Sequence, residues 1–333
     1  LRRFEEFKNF ANKIWNGARF VFLHLEDLRA EELSQGLDLD QLALEDRWIL
    51  SVLQRTIAEM NKCLTEYTFD RAAARSYEFF WNDFCALYVE LAKPVLFGKA
   101  GTPEARKTKQ KLLVILLSNA IRLMHPIAPF ITEEIFSHLK AQFTGLQENK
   151  KGDIYTQETV QALLSPACIQ APYPTVLREQ DSEAEKTFEQ VNELVRAIRN
   201  IRAEMQIPPQ EKTDLHITGR YELAEENQGI LFALTPTARI EFSSHEKDLF
   251  GASALVGPMK LTIPLPESLR VRERARLQKE LEKAEKLLES TQGKLKNEEF
   301  RTKAPREVVA KLETAERQTE AQISEIQKKL EQL

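Results

Sequence analysis

Residues 4–25 read FEEFKNFANKIWNGARFVFLHL. Phe4, Phe7, Ala11, Ile14, Ala18, Val21 and Leu25 step by alternating threes and fours, the spacing of one apolar stripe along a helix. Lys8, Asn12, Trp15, Asn16 and Arg19 make a second stripe about a third of a turn away, at roughly 100° per residue. A helix that needed only burial would carry Glu, Lys and Gln there. These are instead groups that pair with phosphates, hydrogen-bond base edges and stack on bases. The same residues also suit a core tryptophan between solvated cations, and periodicity alone does not choose.

Working outward, the chain has 333 residues, room for two or three cores. Its net charge of −4 excludes a global polycation, so any nucleic-acid surface is a local patch. Only 11 glycines disfavour glycine-rich phosphate loops and all-β architectures. Cys63, Cys85 and Cys168 form no CxxC pair, so neither a zinc knuckle nor a disulfide framework is expected, and scattered cysteines fit a reducing cytoplasm. The longest apolar run, Leu112–Leu117, is too short to cross a bilayer, and no membrane partner is expected. Leu1 is not Met and no signal peptide precedes it, so the chain reads as a fragment of something longer.

Along the chain, the first helix is expected to stop near Glu26 and to be followed by a polar connector over 29–41. A second helix runs 44–67 with Trp48, Val52, the Arg55 stem, Ile57, Met60 and Leu64 inward. A third runs 70–93, ending at Pro94, with Ala73, Tyr77, Phe80, Phe84, Leu87 and Leu91 inward; its many aromatics read as bundle core rather than a stacking platform. Thr102-Pro103 opens a fourth helix to about His125. Pro129 opens a fifth to about Lys140, with Thr132-Glu133-Glu134 as a local cap. Short connections between these helices favour an antiparallel bundle.

Residues 141–180 read as an irregular crossover with one short helix near 158–164. A helix from 181 to 205 buries Phe188, Val191, Leu194, Val195, Ile198 and Ile201 and sets Arg196, Arg199 and Arg202 at intervals of three. Those arginines suit either a phosphate backbone or the acids of a bundle. About three strands follow, at 213–218, 238–243 and 257–265, with a helix over 221–234 between the first two. The tail from 267 carries Leu277, Leu281, Ala284, Leu288, Thr291 and Leu295 in heptads, then Val308, Leu312, Ala315, Thr319, Gln322, Ile326 and Leu330 less strictly, around a break at 297–305. From residue 269 it holds 16 Lys and Arg against 13 Asp and Glu, a net +3, so the body carries the acidic excess. The fold class is therefore mainly α: an antiparallel helical bundle (1–140), a crossover (141–180), a helix plus small α/β module (181–266) and a C-terminal antiparallel coiled-coil hairpin (267–333).

Five histidines do not cluster at metal spacing, and no GxGxxG, Walker loop or GxSxG occurs. No catalytic, metal or cofactor-binding residue is assigned. The pattern is that of a binding machine.

NFANKIWNGARF, DRWILS, YEFFWNDFCALYVELAK and LMHPIAPFITEEIF together resemble the anticodon-binding helical domain of class Ia aminoacyl-tRNA synthetases for branched aliphatic amino acids. IRNIRAEMQIPP, the small module and a two-helix arm with KLKNEEFRTKAPREVV at its turn resemble the C-terminal part of the bacterial-type valyl members. An isoleucyl or leucyl member is the nearer alternative, although the isoleucyl members typically end in a zinc module for which this chain lacks cysteines. A non-enzymatic coiled-coil scaffold is the more distant one. The resemblance implies a valine–tRNA ligase whose catalytic domain, with HIGH and KMSKS signatures, and editing domain lie upstream. The full enzyme would use ATP with magnesium, and this fragment would be inactive alone.

It also implies tRNA(Val) as partner, a cytoplasmic monomer, and two contact regions. At the anticodon, Lys8 and Lys13 would hold phosphate and Asn12 and Asn16 hydrogen-bond. Arg19 would give a bidentate contact, and Trp15 or Phe20 would stack. On the backbone and elbow the candidates are Arg196, Arg199, Arg202, Arg270, Arg274, Lys279, Lys294, Lys296, Arg301, Lys303 and Arg306.

Overall fold

The computed structural model describes residues 2–148, 152–245, 249, 251–265, 267–296 and 306–332. It is mainly α with a small four-stranded sheet. The chain divides into two units, Leu1–Val195 with Leu223–Thr235, and Arg196–Glu222 with Pro236–Leu333.

The first unit contains α1 (Arg2–Leu23), α2 (Ala30–Ser34), α3 (Leu44–Thr65), α4 (Phe69–Glu78), a π-helical segment (Phe79–Tyr88), α5 (Val89–Leu96), α6 (Pro103–Met124), α7 (Pro129–Gln142), α8 (Ile154–Leu163) and the start of α9 (Ser182–Glu204). Helix α6 is its axis. It packs on α1, α3, α4, α5, α7, α8 and the π segment. That is why Leu112–Leu117 is apolar without a break: a helix enclosed by neighbours has no polar face to keep. Thr102 caps it, its hydroxyl accepting from the Ala105 amide at 3.2 Å, with Pro103 at the first helical position.

Ile14, Ala18, Val21 and Leu25 are buried as the first stripe requires. Helix α1 lies against α6, α7 and the π segment. Gly17 permits the last of these approaches: a Cβ there would stand 3.0 Å from Cys85 Sγ and from the Phe80 ring.

Several expectations are corrected. Helix α1 ends at Leu23, and the 29–41 connector contains α2 and a 3₁₀ turn, Leu39–Gln41. The aromatic helix is continuous from α4 through the π segment to α5, two residues beyond Pro94. Its i→i+5 pattern puts residues five apart on one side, so Phe79 and Phe84, and Phe80 and Cys85, are buried in pairs. The inward positions before it are Ala72 and Ser76, while Tyr77 faces outward.

The 141–180 region holds α8, capped by Asp153 Oδ1, which accepts from the Tyr155 and Thr156 amides at 2.9 and 3.1 Å. It begins at Ile154, four residues before the helix expected over 158–164, because buried Thr156 and Thr159 interrupt its apolar period. Thr132 is no cap: its hydroxyl donates back to the Ala128 carbonyl at 2.8 Å. Neighbouring Glu133 instead accepts from the Cys168 and Ile169 amides at 2.9 and 3.3 Å.

In the second unit β1 (Thr213–Gly219), β2 (Thr237–Ser243), β3 (Gly251–Val256) and β4 (Met259–Pro264) form a sheet in the order β2-β1-β4-β3. The β1–β2 pair is parallel and the other two are antiparallel. Leu215, Ile217, Leu261 and Ile263 are its buried face. Strand β3 was not expected, because GASALV offers small residues in place of an apolar–polar alternation. Gly251 suits its place opposite β4, where a Cβ would run into the Ile263 carbonyl.

The parallel β1–β2 pair needs a crossover, supplied by α10 (Glu222–Glu226) and α11 (Gln228–Leu234) in place of one helix. Within the first unit, α11 packs on α5. Two long helices, α12 (Glu267–Lys296) and α13 (Arg306–Gln332), pack on each other. Leu277, Ala284 and Thr291 of α12 and Thr319 and Ile326 of α13 are buried. The buried threonines satisfy themselves, Thr291 donating to the Leu287 carbonyl at 2.8 Å and Thr319 to that of Ala315 at 2.7 Å. Gln322, expected inward, is exposed, and Ile323 beside it is half-buried in its stead. Val308 and Leu312 have side chains outside the described set. No described helix is long and apolar enough to cross a membrane.

Candidate nucleic-acid interface

The second stripe of α1 divides by direction. Lys8, Asn12, Asn16 and Arg19 are exposed and face away from the core. Trp15 is 41% exposed, so it is not a core residue. It stands edge-on to His138 of α7, with ring centroids 6.0 Å apart, and Phe22 is 5.9 Å from the same imidazole. His138 is in turn paired with Glu134 at 3.2 Å.

The opposite side of α1 carries a second aromatic row. Phe10 meets Tyr77 at 4.7 Å, and Tyr77 stacks on Trp81 at 5.4 Å with an interplanar angle of 14°. Lys13 Nζ lies 4.7 Å from the Trp81 centroid. Lys13 is therefore half-buried against a ring face rather than standing out with Lys8. Further along, Phe20 packs on His24 at 4.5 Å and His24 on Phe97 at 4.9 Å, with Lys93 Nζ 5.7 Å from the Phe20 ring. Burial, aided by the Arg106 guanidinium, lowers the His24 pKa and favours the neutral imidazole.

The result is a strip of amides and cations bordered on both sides by aromatic rings. Amides and guanidinium groups reach base edges and phosphates, and rings offer faces to unstacked bases. Of the bordering groups, Tyr77, Trp81, Phe22, His24, Phe97 and His138 were not picked from sequence. The signal was available in the aromatic excess of 77–88 and in a glycine inside a helix, but the pairing of α1 with α4 and α7 was not.

Polar contacts, most of them buried, tie together the helices around the strip. Lys109 is buried with its ammonium 2.6 Å from Asp46 and 2.7 Å from Glu45, while the Tyr88 hydroxyl donates to Asp46 at 2.9 Å. Burial would depress Lys109, but the two carboxylates win and its pKa is raised. Gln110 donates to the His24 carbonyl at 2.6 Å, tying the C-terminal end of α1 to α6. Arg106 hydrogen-bonds Asp27 and holds that carboxyl down at about 2. Arg122, also buried, forks onto Glu158 at 2.5 and 2.8 Å and fixes α8. Behind the strip, burial pushes Asp83 of the π segment up to about 6, against the pull of Arg75.

The three arginines of α9 do not act alike. Arg196 and Arg199 are exposed. Arg202 is 5% exposed and is corrected as a phosphate ligand. Its guanidinium donates to Thr213 Oγ1 at 2.9 Å and to the carbonyls of Glu211, Pro208 and Pro236 at 2.7, 3.1 and 3.4 Å. It staples the loop that enters β1. On α12, Arg274, Lys279 and Lys294 are exposed and Arg270 is half-buried. Arg301 and Lys303 lie outside the described residues, as do the side chains of Lys296 and Arg306.

Comparison with known proteins bears on the family of the chain. Residues 46–217 match the family profile of the anticodon-binding domain of tRNA ligase, and residues 271–333 match that of the valyl tRNA synthetase tRNA binding arm. The chain is similar to a valine–tRNA ligase of Protochlamydia amoebophila, 46% identical over 99% of this chain and 36% of that protein. Valine–tRNA ligases of Chlamydia felis and Chlamydia muridarum are 37% and 38% identical over 99% and 100% of this chain, and 35% and 36% of their own length. The chain thus spans about a third of the curated relatives it matches. It belongs to the anticodon-binding domain family of tRNA ligases.

Proposed function

We propose that the chain is the tRNA-holding part of a valine–tRNA ligase. The observation that carries this is the exposed strip Lys8, Asn12, Asn16 and Arg19 between two aromatic rows, on a chain that also matches a tRNA-binding arm. In this reading residues 1–140 form an antiparallel bundle that takes the anticodon loop of tRNA(Val). Splayed bases stack against Trp15 and Phe20, their edges meet Asn12 and Asn16, and Arg19 and Lys8 take phosphates. Residues 141–180 cross to the helix and α/β module of 181–266. Residues 267–333 form an antiparallel coiled-coil arm whose Arg274, Lys279 and Lys294 touch the tRNA elbow largely through phosphates, as would Arg196 and Arg199.

Gripping two remote points orients the acceptor end towards a catalytic site elsewhere in the polypeptide. That remainder would activate valine with ATP and magnesium and transfer it to tRNA. The chain acts as a cytoplasmic monomer in this reading.

The test is an anisotropy titration with tRNA(Val) and with the same tRNA carrying a changed anticodon, at two salt concentrations. Tight, salt-sensitive binding that weakens when the anticodon changes is expected. Binding indifferent to the anticodon would reduce α1 to a structural helix.

A further inference from the structure

The first unit carries a cleft of about 510 Å³ to which α1 contributes no lining residue. It lies between the 3₁₀ turn Leu39–Gln41, the first half of α3, the start of α8 and the segment that leads into α9. Its walls are tied down. Gln54 Oε1 accepts from the Leu177 amide at 2.7 Å and Ser51 Oγ from that of Asp181 at 2.8 Å, fixing the leading segment on α3. Asp153 Oδ2 accepts from the Leu37 amide at 2.7 Å, fixing the approach to the 3₁₀ turn on the start of α8. Three leucines line the cleft: Leu50 is buried, and Leu39 and Leu42 are half-buried.

The polar lining is left open. Tyr155 is only 6% exposed, yet its hydroxyl makes no hydrogen bond among the described residues. Arg178, Asp40 and Glu179 are exposed, and their charged groups make no ion pair among the described residues although both signs are present. The other two charges, Arg47 and Asp181, pair with each other at 2.7 Å. We propose that this cleft binds a free amino acid with an aliphatic side chain, its carboxylate on Arg178 and Tyr155, its ammonium on Asp40 and Glu179, and its side chain on the leucines.

A guanidinium fork beside a phenol hydroxyl offers a carboxylate both charge and donors. Burial raises the Tyr155 pKa, with Arg178 near enough to pull against it, so the phenol keeps its proton and donates. Because Arg178 pairs with neither Asp40 nor Glu179, the opposite charges stand apart, and a ligand that carries both signs bridges them. A simple anion, an RNA phosphate included, would meet the carboxylates of Asp40 and Glu179 with nothing to offset them, and a simple cation would meet Arg178. A few convergent polar groups above an apolar wall, on segments already fixed, are what a small-molecule site requires. The site rests on this lining alone. Only the choice of valine as first probe rests on the ligase reading, and leucine is therefore titrated beside it.

Calorimetric titration of the 333-residue chain with L-valine and L-leucine, without tRNA or ATP, is the test. Two analogues are titrated beside them: 3-methylbutanoate, which is valine without its ammonium, and 2-methylpropylamine, which is valine without its carboxylate. Saturable binding of at least one amino acid is expected, and valine or leucine should bind about tenfold more tightly than either analogue. Arg178→Met, at an exposed position, should weaken that binding about tenfold, and Tyr155→Phe, which keeps the ring, about threefold. Asp40→Asn combined with Glu179→Gln should abolish the preference for valine over 3-methylbutanoate. Amides of 39–42 and 177–181 should exchange with deuterium more slowly when the ligand is bound. Absence of saturable binding by both amino acids would overturn the inference, as would binding that Arg178→Met leaves unchanged or exchange protection confined to other segments. Inorganic phosphate or 3-methylbutanoate binding as tightly as the amino acid would make the cleft an anion site and defeat it too. Since the titration contains no RNA, failure of the tRNA reading leaves its outcome untouched.

Discussion

Helix α1 and the pair α12–α13 both present cations, but in unlike surroundings. Arg19 stands on a helix wedged between α7 and the π segment, with rings on either flank and Gly17 setting the spacing behind it. Arg274, Lys279 and Lys294 stand on a long helix that packs on one partner, and they are exposed. Packing on several sides fixes where an asparagine amide or an indole points, which is what reading a base requires. A cation on a lone helix pair keeps its rotamer freedom and serves a phosphate, which asks only for charge. If α1 reads bases and the α12–α13 pair only holds the tRNA, as proposed above, what separates the two surfaces is the rigidity of their support and not their charge.

The comparison can be broken in several ways. Deleting 267–333 should have the largest effect. Affinity for every tRNA should fall by about two powers of ten at low salt, and the salt slope should flatten by about one for each phosphate that the arm no longer neutralises. An unchanged slope would take the arm out of the interface. Arg202→Met comes next, and it acts on stability. Replacing a buried guanidinium that holds three carbonyls and a hydroxyl should cost about 2 kcal/mol in a denaturant titration, with no change in salt slope. A loss of tRNA affinity at unaltered stability would return Arg202 to the RNA side.

Arg19→Ala should weaken tRNA binding by about 2 kcal/mol and blunt discrimination between anticodons, while the exposed site leaves the melting temperature nearly unmoved. A large drop in melting temperature would make Arg19 a structural residue.

Asp83 gives a prediction for the support of α1. Its folded pKa of about 6 is above the ordinary aspartate value of 3.8, so the native state favours the neutral acid. Below about pH 4 both states are protonated and nothing is lost; as pH rises from there to 6 the unfolded chain ionises first and stability falls, by about 2 kcal/mol. Asp83→Asn should remove that slope. Melting curves between pH 4 and 7 that keep it would assign the titration to another group. The smallest effect expected is from Trp15→Ala. It should cost about 1 kcal/mol of tRNA binding as its stacking disappears, with the fold intact. Unfolding of the first unit would show that the edge contact with His138 is structural.

Much of the helical order was legible because burial leaves a period. The stripe of α1, the proline opening α6 and the unbroken run at its centre could be read directly. The π segment could not: its i→i+5 spacing sets Phe79 with Phe84 and Phe80 with Cys85 on the buried side, a period that a helix read at three and four does not show. Helix α8 was expected over 158–164, but its first turn from Ile154 was obscured by buried threonines, and β3 was obscured by small residues whose strand form depends on pairing with β4. Of the strip, Lys8, Asn12, Asn16 and Arg19 were identifiable by type and spacing. Its aromatic borders were not, since Tyr77, Trp81 and His138 approach α1 from other helices.

Covalent order therefore carried the helix periods, the cap and break signals, and the residue types that make a nucleic-acid surface plausible, because each is a local property of spacing and side-chain chemistry. Tertiary structure alone separated the roles of like residues. Trp15 lies on the surface and Trp48 stacks on Phe188 at 4.0 Å in the interior. Arg19 faces solvent and Arg202 is held by carbonyls. Lys8 is exposed and Lys109 is buried between two carboxylates. Each such pair has one chemistry and two fates, since burial and partners come from distant segments that only folding brings together.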